Sequence, residues 1–200
     1  MNAAPMAATY TFGRHAIAAT EVFLTTPLVY AMVNWKPVRP GHVLVVTRRG
    51  IPRLADATPA EVADLFATAR AVGVAMEARA AASGLTLVVQ DGAAAGQTVP
   101  HVHVHLIPRH AGDFARNDDV YDAVDAANLT VRPTDDAGGG KTPPPPPPPP
   151  LPPPATAATA LPAAKRRVDD EDDRQPRSAA DMAAEAATLR PLFAHLSGEI

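Results

Sequence analysis

Val99-Pro100-His101-Val102-His103-Val104-His105-Leu106-Ile107-Pro108 is the stretch that decides the fold of this 200-residue chain. Successive side chains on a β-strand project to opposite faces. Spacing of two therefore puts His101, His103 and His105 on one side and Val102, Val104 and Leu106 on the other. On a helix the same spacing would turn His103 away from its neighbours. The β-branched valines also favour the strand. The run predicts a strand with a polar working face and an apolar core face.

Working outward, Val22-Phe23-Leu24, Leu28 to Asn34, Val43 to Val46 and Leu85 to Gln90 read as further strands, with Asp91-Gly92 starting a turn. Thr58-Pro59-Ala60-Glu61 reads as a helix start. Thr58 can cap, Pro59 suits the first helical position and Glu61 can reach back to complete a capping box. Val62, Leu65, Phe66, Ala69, Val72 and Met76 follow at helical spacing, with Gly84 as the stop. A second helix runs from Ser178, with Met182, Ala186, Leu189 and Phe193 on one face and Pro191 bending or ending it. Between them the chemistry changes. Gly138 to Gly140, Pro143 to Pro150, Lys165-Arg166-Arg167 and the acidic Asp169 to Asp173 cannot bury enough apolar surface to fold alone. The expected organisation is a catalytic domain over 10–130, a proline-rich and acidic linker over 131–177, and a C-terminal helix over 178–196 that returns to the domain.

Net charge is −3, which gives no global attraction to nucleic acid or to an anionic membrane. No apolar run approaches the ~20 residues of a membrane span. Cysteine is absent, which excludes disulfides, thiol catalysis and thiolate metal sites. No secretory signal is read at the N-terminus. The expectation is a cytoplasmic protein, with the short basic Lys165-Arg166-Arg167 leaving the nucleus open as a second compartment.

Three imidazoles on one strand face leave three readings open: a metal site, a nucleophilic imidazole with helpers, or a solvated histidine-rich face. The flanks favour the second. Metal sites recruit Cys, Asp or Glu beside their histidines. Here Gln90, Gly96, Gln97 and Thr98 are uncharged hydrogen-bonders suited to phosphate oxygens. No metal ligand set is read, and any Mg²⁺ or Mn²⁺ would arrive with substrate phosphates.

The whole stretch Gln90 to Arg109 resembles the histidine triad superfamily of nucleotidyl hydrolases and transferases. Gly112-Asp113-Phe114, Arg116-Asn117-Asp118, Tyr121, Phe12-Gly13-Arg14-His15, Asn34, Lys36-Pro37-Val38, Pro40 to Val45 and Met182 to Ala187 are similar to its fragile histidine triad (Fhit) branch. The resemblance covers about residues 10–125 and 178–194 and omits the proline insertion. It implies an α+β fold with an antiparallel sheet of about five strands and two helices, in a homodimer whose sheets join. It also implies hydrolysis of dinucleoside polyphosphates, diadenosine triphosphate giving AMP and ADP, with no tightly bound cofactor. Phosphoramidate or adenylylsulfate hydrolysis, or a nucleotide-binding signalling module, are the alternatives. His103 would be the nucleophile, forming a nucleotidyl-histidine that water then hydrolyses. His101 and His42 would support it. His105 and Gln90 would serve the phosphate and leaving-group side. Gly96, Gln97, Thr98 and Val99 would cradle phosphate oxygens, and Asn34 and His15 would contact the nucleotide. A histidine at 105, where related sugar-phosphate transferases carry Gln, favours water as acceptor. Trp35 and Pro100 stand where the branch has basic residues. His110 and His195 read as solvated.

The proline run admits two readings. Lys141-x-x-Pro144-x-x-Pro147 has the form of an SH3-type groove ligand, so a polyproline-binding domain is one partner such a run could take. A plain polyproline II spacer is the other.

Overall fold

The computed structural model describes residues 10–128 and 176–196. The proline run and the rest of the expected 131–177 linker lie outside them, except Pro176 and Arg177. Seven strands form: β1 (Tyr10–Phe12), β2 (His15–Ile17), β3 (Val22–Thr25), β4 (Val29–Val33), β5 (Val43–Thr47), β6 (Gly84–Val88) and β7 (His103–Arg109). β3 to β7 make one antiparallel sheet in the order β3-β4-β5-β7-β6, and β1-β2 is a separate hairpin. The α+β architecture and the five-stranded sheet agree with the expectation from sequence. Three helices accompany the sheet: α1 (Pro59–Ala80), α2 (Asp119–Asn128) and α3 (Ala179–Leu189).

β4 and β5 are buried along their whole length because both faces are covered. Val29, Ala31, Val33, Val43, Val45, Val104 and Leu106 face α1 and α3 through Leu65, Ala69, Val72, Met76, Met182, Ala186 and Leu189. Tyr30, Met32, Leu44 and Val46 face the other way, under Tyr10, Phe12 and Ile17 of the hairpin. The β5–β7 register sets His105 beside Leu44 and His103 beside Val46, so the histidines share this second face. One pleat further on, Ile107 packs with Val38, Val120 and Val124, which seats α2 at the same face's other end. The histidine face is thus walled by a hairpin on one side and a short helix on the other.

α1 starts as its sequence predicts, and both halves of the capping box form. Glu61 N donates to Thr58 Oγ1 (3.2 Å), and Thr58 N donates to Glu61 Oε2 (2.8 Å). Two details differ from expectation. The helix ends at Ala81, which takes the left-handed conformation (φ 49°), and Gly84 already pairs with Arg109 as the first residue of β6. Phe66 is 41% exposed, because the sheet covers a narrower stripe than the apolar pattern spans. α2 was not expected from sequence. Val120 and Val124 are its buried apolar anchors among the described residues, too short a stripe to register as periodicity, and Tyr121 lies on its first turn. Ser178 caps α3, accepting from Asp181 N (3.1 Å), and Pro191 sits in a closing 3₁₀ turn, Arg190–Phe193.

Glu61 also accepts two bonds from Arg49, at 2.8 and 2.7 Å. Those bonds, and then the Thr58 N–H, hold its carboxyl down at about 2 against an ordinary 4.5. The folded value lies below the unfolded one. This contribution to stability is therefore complete above pH ~4.5 and is lost as pH falls towards ~2. Half of Arg49 is in water, so the effect is modest. The Tm gap between the parent and Glu61→Gln is expected to be full near neutrality and to close over that acid window. A gap unchanged at the acid end would assign the role of Glu61 to packing.

Candidate active site

His101, His103 and His105 are 0%, 4% and 2% exposed, which rules out a solvated histidine face. His101 lies two residues ahead of the strand it was expected to open. There the main chain is taken up by the 47–51 loop instead, with Val102 N donating to Ile51 O and Val102 O accepting from Thr47 N. Its ring nevertheless turns toward the others. Phe12 packs over both His101 and His103, at centroid distances of 5.8 and 4.9 Å.

Main-chain groups fix the tautomer of every ring in the cluster. Val38 N–H donates to His42 Nδ1 (3.0 Å), so His42 carries its proton on Nε2 and gives it to His105 Nδ1 (3.0 Å). His105 is thereby protonated on Nε2, 3.1 Å from His103 Nε2. His103 Nδ1–H in turn donates to the carbonyl of His101 (2.7 Å). The donors run Val38, His42, His105, His103, ending on the His101 carbonyl as acceptor, and this leaves the lone pair of His103 on Nε2. His101 is set separately. Gly13 N–H donates to its Nδ1 (3.0 Å), and its Nε2–H donates to Thr47 O (2.7 Å). Gly13 holds a positive φ of 57°, and a Cβ there would fall 2.6 Å from a Val99 methyl, so only glycine brings this N–H so close.

Burial keeps these rings neutral. It lowers His103 to about 4, with the nearby His101 adding to the effect and the bond to the His101 carbonyl opposing it. It lowers His105 well below the ordinary range, with His103 and His42 adding to the effect. It also lowers His101. Chemically the arrangement offers an unprotonated ring nitrogen at neutral pH, facing an N–H donor on the adjacent histidine. An electrophile entering between His103 and His105 would meet a nucleophile and a hydrogen-bond donor together.

Asn34 Nδ2 lies 3.2 Å from both ring nitrogens of His42, and Asn34 Oδ1 accepts from Lys36 N. Asn34 thus bears on the relay through His42. His15 is buried on β2, across from Phe12 in the hairpin register, so it lies on the wall over the histidine face. Gln90 is buried and its Nε2 donates to Asp125 Oδ1 on α2 (2.6 Å). The turn expected to cradle phosphate is stiffer than its sequence suggests. Gly96 N and Gln97 N donate within the turn, to Ala93 O and Gly92 O, so neither is aimed at an anion. Gln97 spends its side chain on Gly92 N and Pro52 O. Asp91 ties the same turn to Arg53 and Leu54 N. Thr98 is exposed and Val99 half-buried, as the chain turns back toward the triad. His110 and His195 are exposed, as expected. Trp35 packs against the core under the 34–38 loop, and its carbonyl accepts from Arg177 N (2.9 Å).

The site also uses residues to which the sequence assigned no role. Val38, Gly13 and Thr47 act through main-chain atoms, which leave no mark in a side-chain motif. Asp125 belongs to the helix that the pattern did not reveal.

The HIT domain family matches residues 16–112. A bifunctional bis(5'-adenosyl)-triphosphatase/adenylylsulfatase of Arabidopsis thaliana is 55% identical over 116 residues, 58% of this chain and 64% of that protein. The chain therefore spans just under two thirds of that relative. The solved NitFhit structure of C. elegans aligns with a TM-score of 0.53 at 45% identity, covering 64% of this chain and 31% of that one. A bis(5'-adenosyl)-triphosphatase of Dictyostelium discoideum is 46% identical over 120 residues, 60% of this chain and 80% of that protein. With four fifths of that relative matched, and with the triad strand in the matched fold, the chain belongs to the histidine triad (HIT) family, in its Fhit branch.

Proposed function

We propose that this chain hydrolyses dinucleoside polyphosphates, cutting diadenosine triphosphate to AMP and ADP through a nucleotidyl-histidine. The observation that carries the reading is the neutral Nε2 of His103, aimed at His105 by a relay whose proton order the main chain dictates. In the first step that lone pair attacks the α-phosphorus. The N–P bond forms and the anhydride P–O bond breaks. The ADP departs as an anion, its oxygen hydrogen-bonded by the Nε2–H of His105. In the second step water attacks the same phosphorus, the N–P bond breaks, the water's protons pass to solvent, and AMP leaves with His103 free. Gln90 and the 96–99 turn serve the phosphates, with the Thr98 and Val99 main chain as the donors nearest the triad. His101 supports the His103 tautomer through its carbonyl.

The Arabidopsis relative, by its name, acts on both a dinucleoside triphosphate and adenylylsulfate. Both present an adenylyl phosphorus with an acidic leaving group, and the same two steps serve either. A divalent cation would enter with the substrate, since the ring nitrogens already face each other or the main chain. We also infer a homodimer joined through β6. Leu87 on this edge strand is 47% exposed, Phe66 is 41% exposed on α1, and Leu85 of the same strand packs on Gly73 of α1.

Turnover of diadenosine triphosphate, diadenosine tetraphosphate, adenylylsulfate and adenosine phosphoramidate in oxygen-18 water tests the reading. One labelled oxygen is expected in AMP and none in ADP. Label in ADP, or no turnover of any of these compounds, would remove the proposed reaction.

A further inference from the structure

We propose that Asp125 is a specificity-determining residue: an internal anion that competes with substrate phosphate for Gln90 and so favours substrates paired with a divalent cation. This rests on the reading of Gln90 and the 96–99 turn as the phosphate side of the site.

Val120 and Val124 fix α2 on Ile107 and Val38. The next residue, Asp125, then reaches from solvent onto the buried Gln90, whose Nε2–H it accepts at 2.6 Å. Gly96, at φ 84°, leaves the room for this pair. A Cβ there would lie 2.6 Å from Gln90 Nε2 and 2.8 Å from Asp125 Oδ1. A carboxylate therefore stands where a phosphate oxygen would need to stand to use the same N–H. Two anions at one donor repel each other, here at the solvent edge of the buried Gln90 amide. The nearest cation on the turn does not offset this. Arg53, beside Gly92, is held by both oxygens of Asp91.

A metal-free polyphosphate must displace the Asp125 carboxylate from Gln90. A polyphosphate carrying Mg²⁺ presents a cation to which the carboxylate can turn as an oxygen ligand. The competitor then becomes a contact. The same side chain thus penalises one form of the substrate and accepts the other.

Asp125→Asn keeps an acceptor for Gln90 and removes the charge. With diadenosine triphosphate in EDTA, the substitution is expected to lower KM by about tenfold, with the gain shrinking to less than about twofold in excess Mg²⁺. The same pattern is expected in Kd for diadenosine triphosphate when His103→Ala is compared with His103→Ala/Asp125→Asn. A merely structural role for Asp125 would raise KM and would not respond to the cation. An unchanged or higher KM in EDTA, or a gain that Mg²⁺ does not shrink, overturns the inference. If the parent binds diadenosine triphosphate without cleaving it, the proposed reaction fails and the Kd comparison still decides the role of Asp125. Absence of binding overturns both.

Discussion

Replacing His103 by alanine is expected to lower kcat by at least about 10⁴-fold, because the substitution removes the atom that forms the covalent bond and no other ring presents a lone pair there. His105 carries N–H at the facing position, and both ring nitrogens of His101 are engaged by main chain, Nδ1 by Gly13 N and Nε2 by Thr47 O, so neither ring substitutes as it stands. The fold should survive. His103 projects away from the Val104 and Leu106 core face, and its loss leaves that face packed. Far-UV circular dichroism of the variant should match the parent. The parent itself should show kcat/KM level from about pH 8 to about pH 5, falling as His103 takes up a proton near its buried value. Stability adds a second readout. The folded value of about 4 lies below the ordinary 6.5, so this group's contribution is complete above 6.5 and drains away as pH drops toward 4. The alanine variant should therefore lose less stability across that window than the parent does. Equal kcat in the two proteins would end the nucleophilic account.

Phe193→Ala is expected to cost about 3–5 kcal/mol in urea denaturation, a large share of the ~5–15 kcal/mol typical of a domain. Phe193 is 1% exposed and stacks on Phe23 of β3 at 5.4 Å between centroids. Arg190, one turn earlier, donates to the carbonyls of Ala19, Thr20 and Val22, so this last turn both plugs and clamps the sheet's outer strand. Leu192, 40% exposed, is the control, and Leu192→Ala should stay within about 0.5 kcal/mol. Equal losses at the two positions would mean that α3 does not dock through Phe193.

Strong patterns were legible and weak ones were not. The triad strand, the capping box at Thr58 and the Met182–Phe193 face each combine periodicity with end signals, and each formed. α2 rests on two valines, and its dock, Ile107 with Val38, comes from distant parts of the chain, so no local window could reveal it. The end of α1 was misplaced because Ala81 takes a conformation usually left to glycine, and the chain closes with Ala82 N on Glu77 O. At the site the histidines could be named from spacing and resemblance. Their protonation could not, because it is settled by Val38 N, Gly13 N, Thr47 O and His101 O, groups every residue carries. Gln97, an amide that the motif reads as a phosphate contact, bonds Gly92 N and Pro52 O in this structure, partners that no side-chain pattern announces.

The relay from Val38 to the His101 carbonyl has a direction, like a one-way street, and its sign is set at its ends. Turning the 34–42 loop so that a carbonyl faced His42 Nδ1 in place of the Val38 N–H would reverse His42 and His105, while the His101 carbonyl would still hold the proton of His103 on Nδ1. His105 would then meet the His103 lone pair with a lone pair of its own, with no N–H between them. A chain could keep all four histidines in place and be inert. Conversely, the many loop sequences that still deliver one N–H at that point would be interchangeable. The heritable determinant of activity here is therefore partly the polarity of a peptide plane, and comparing family members by their triads alone would miss it.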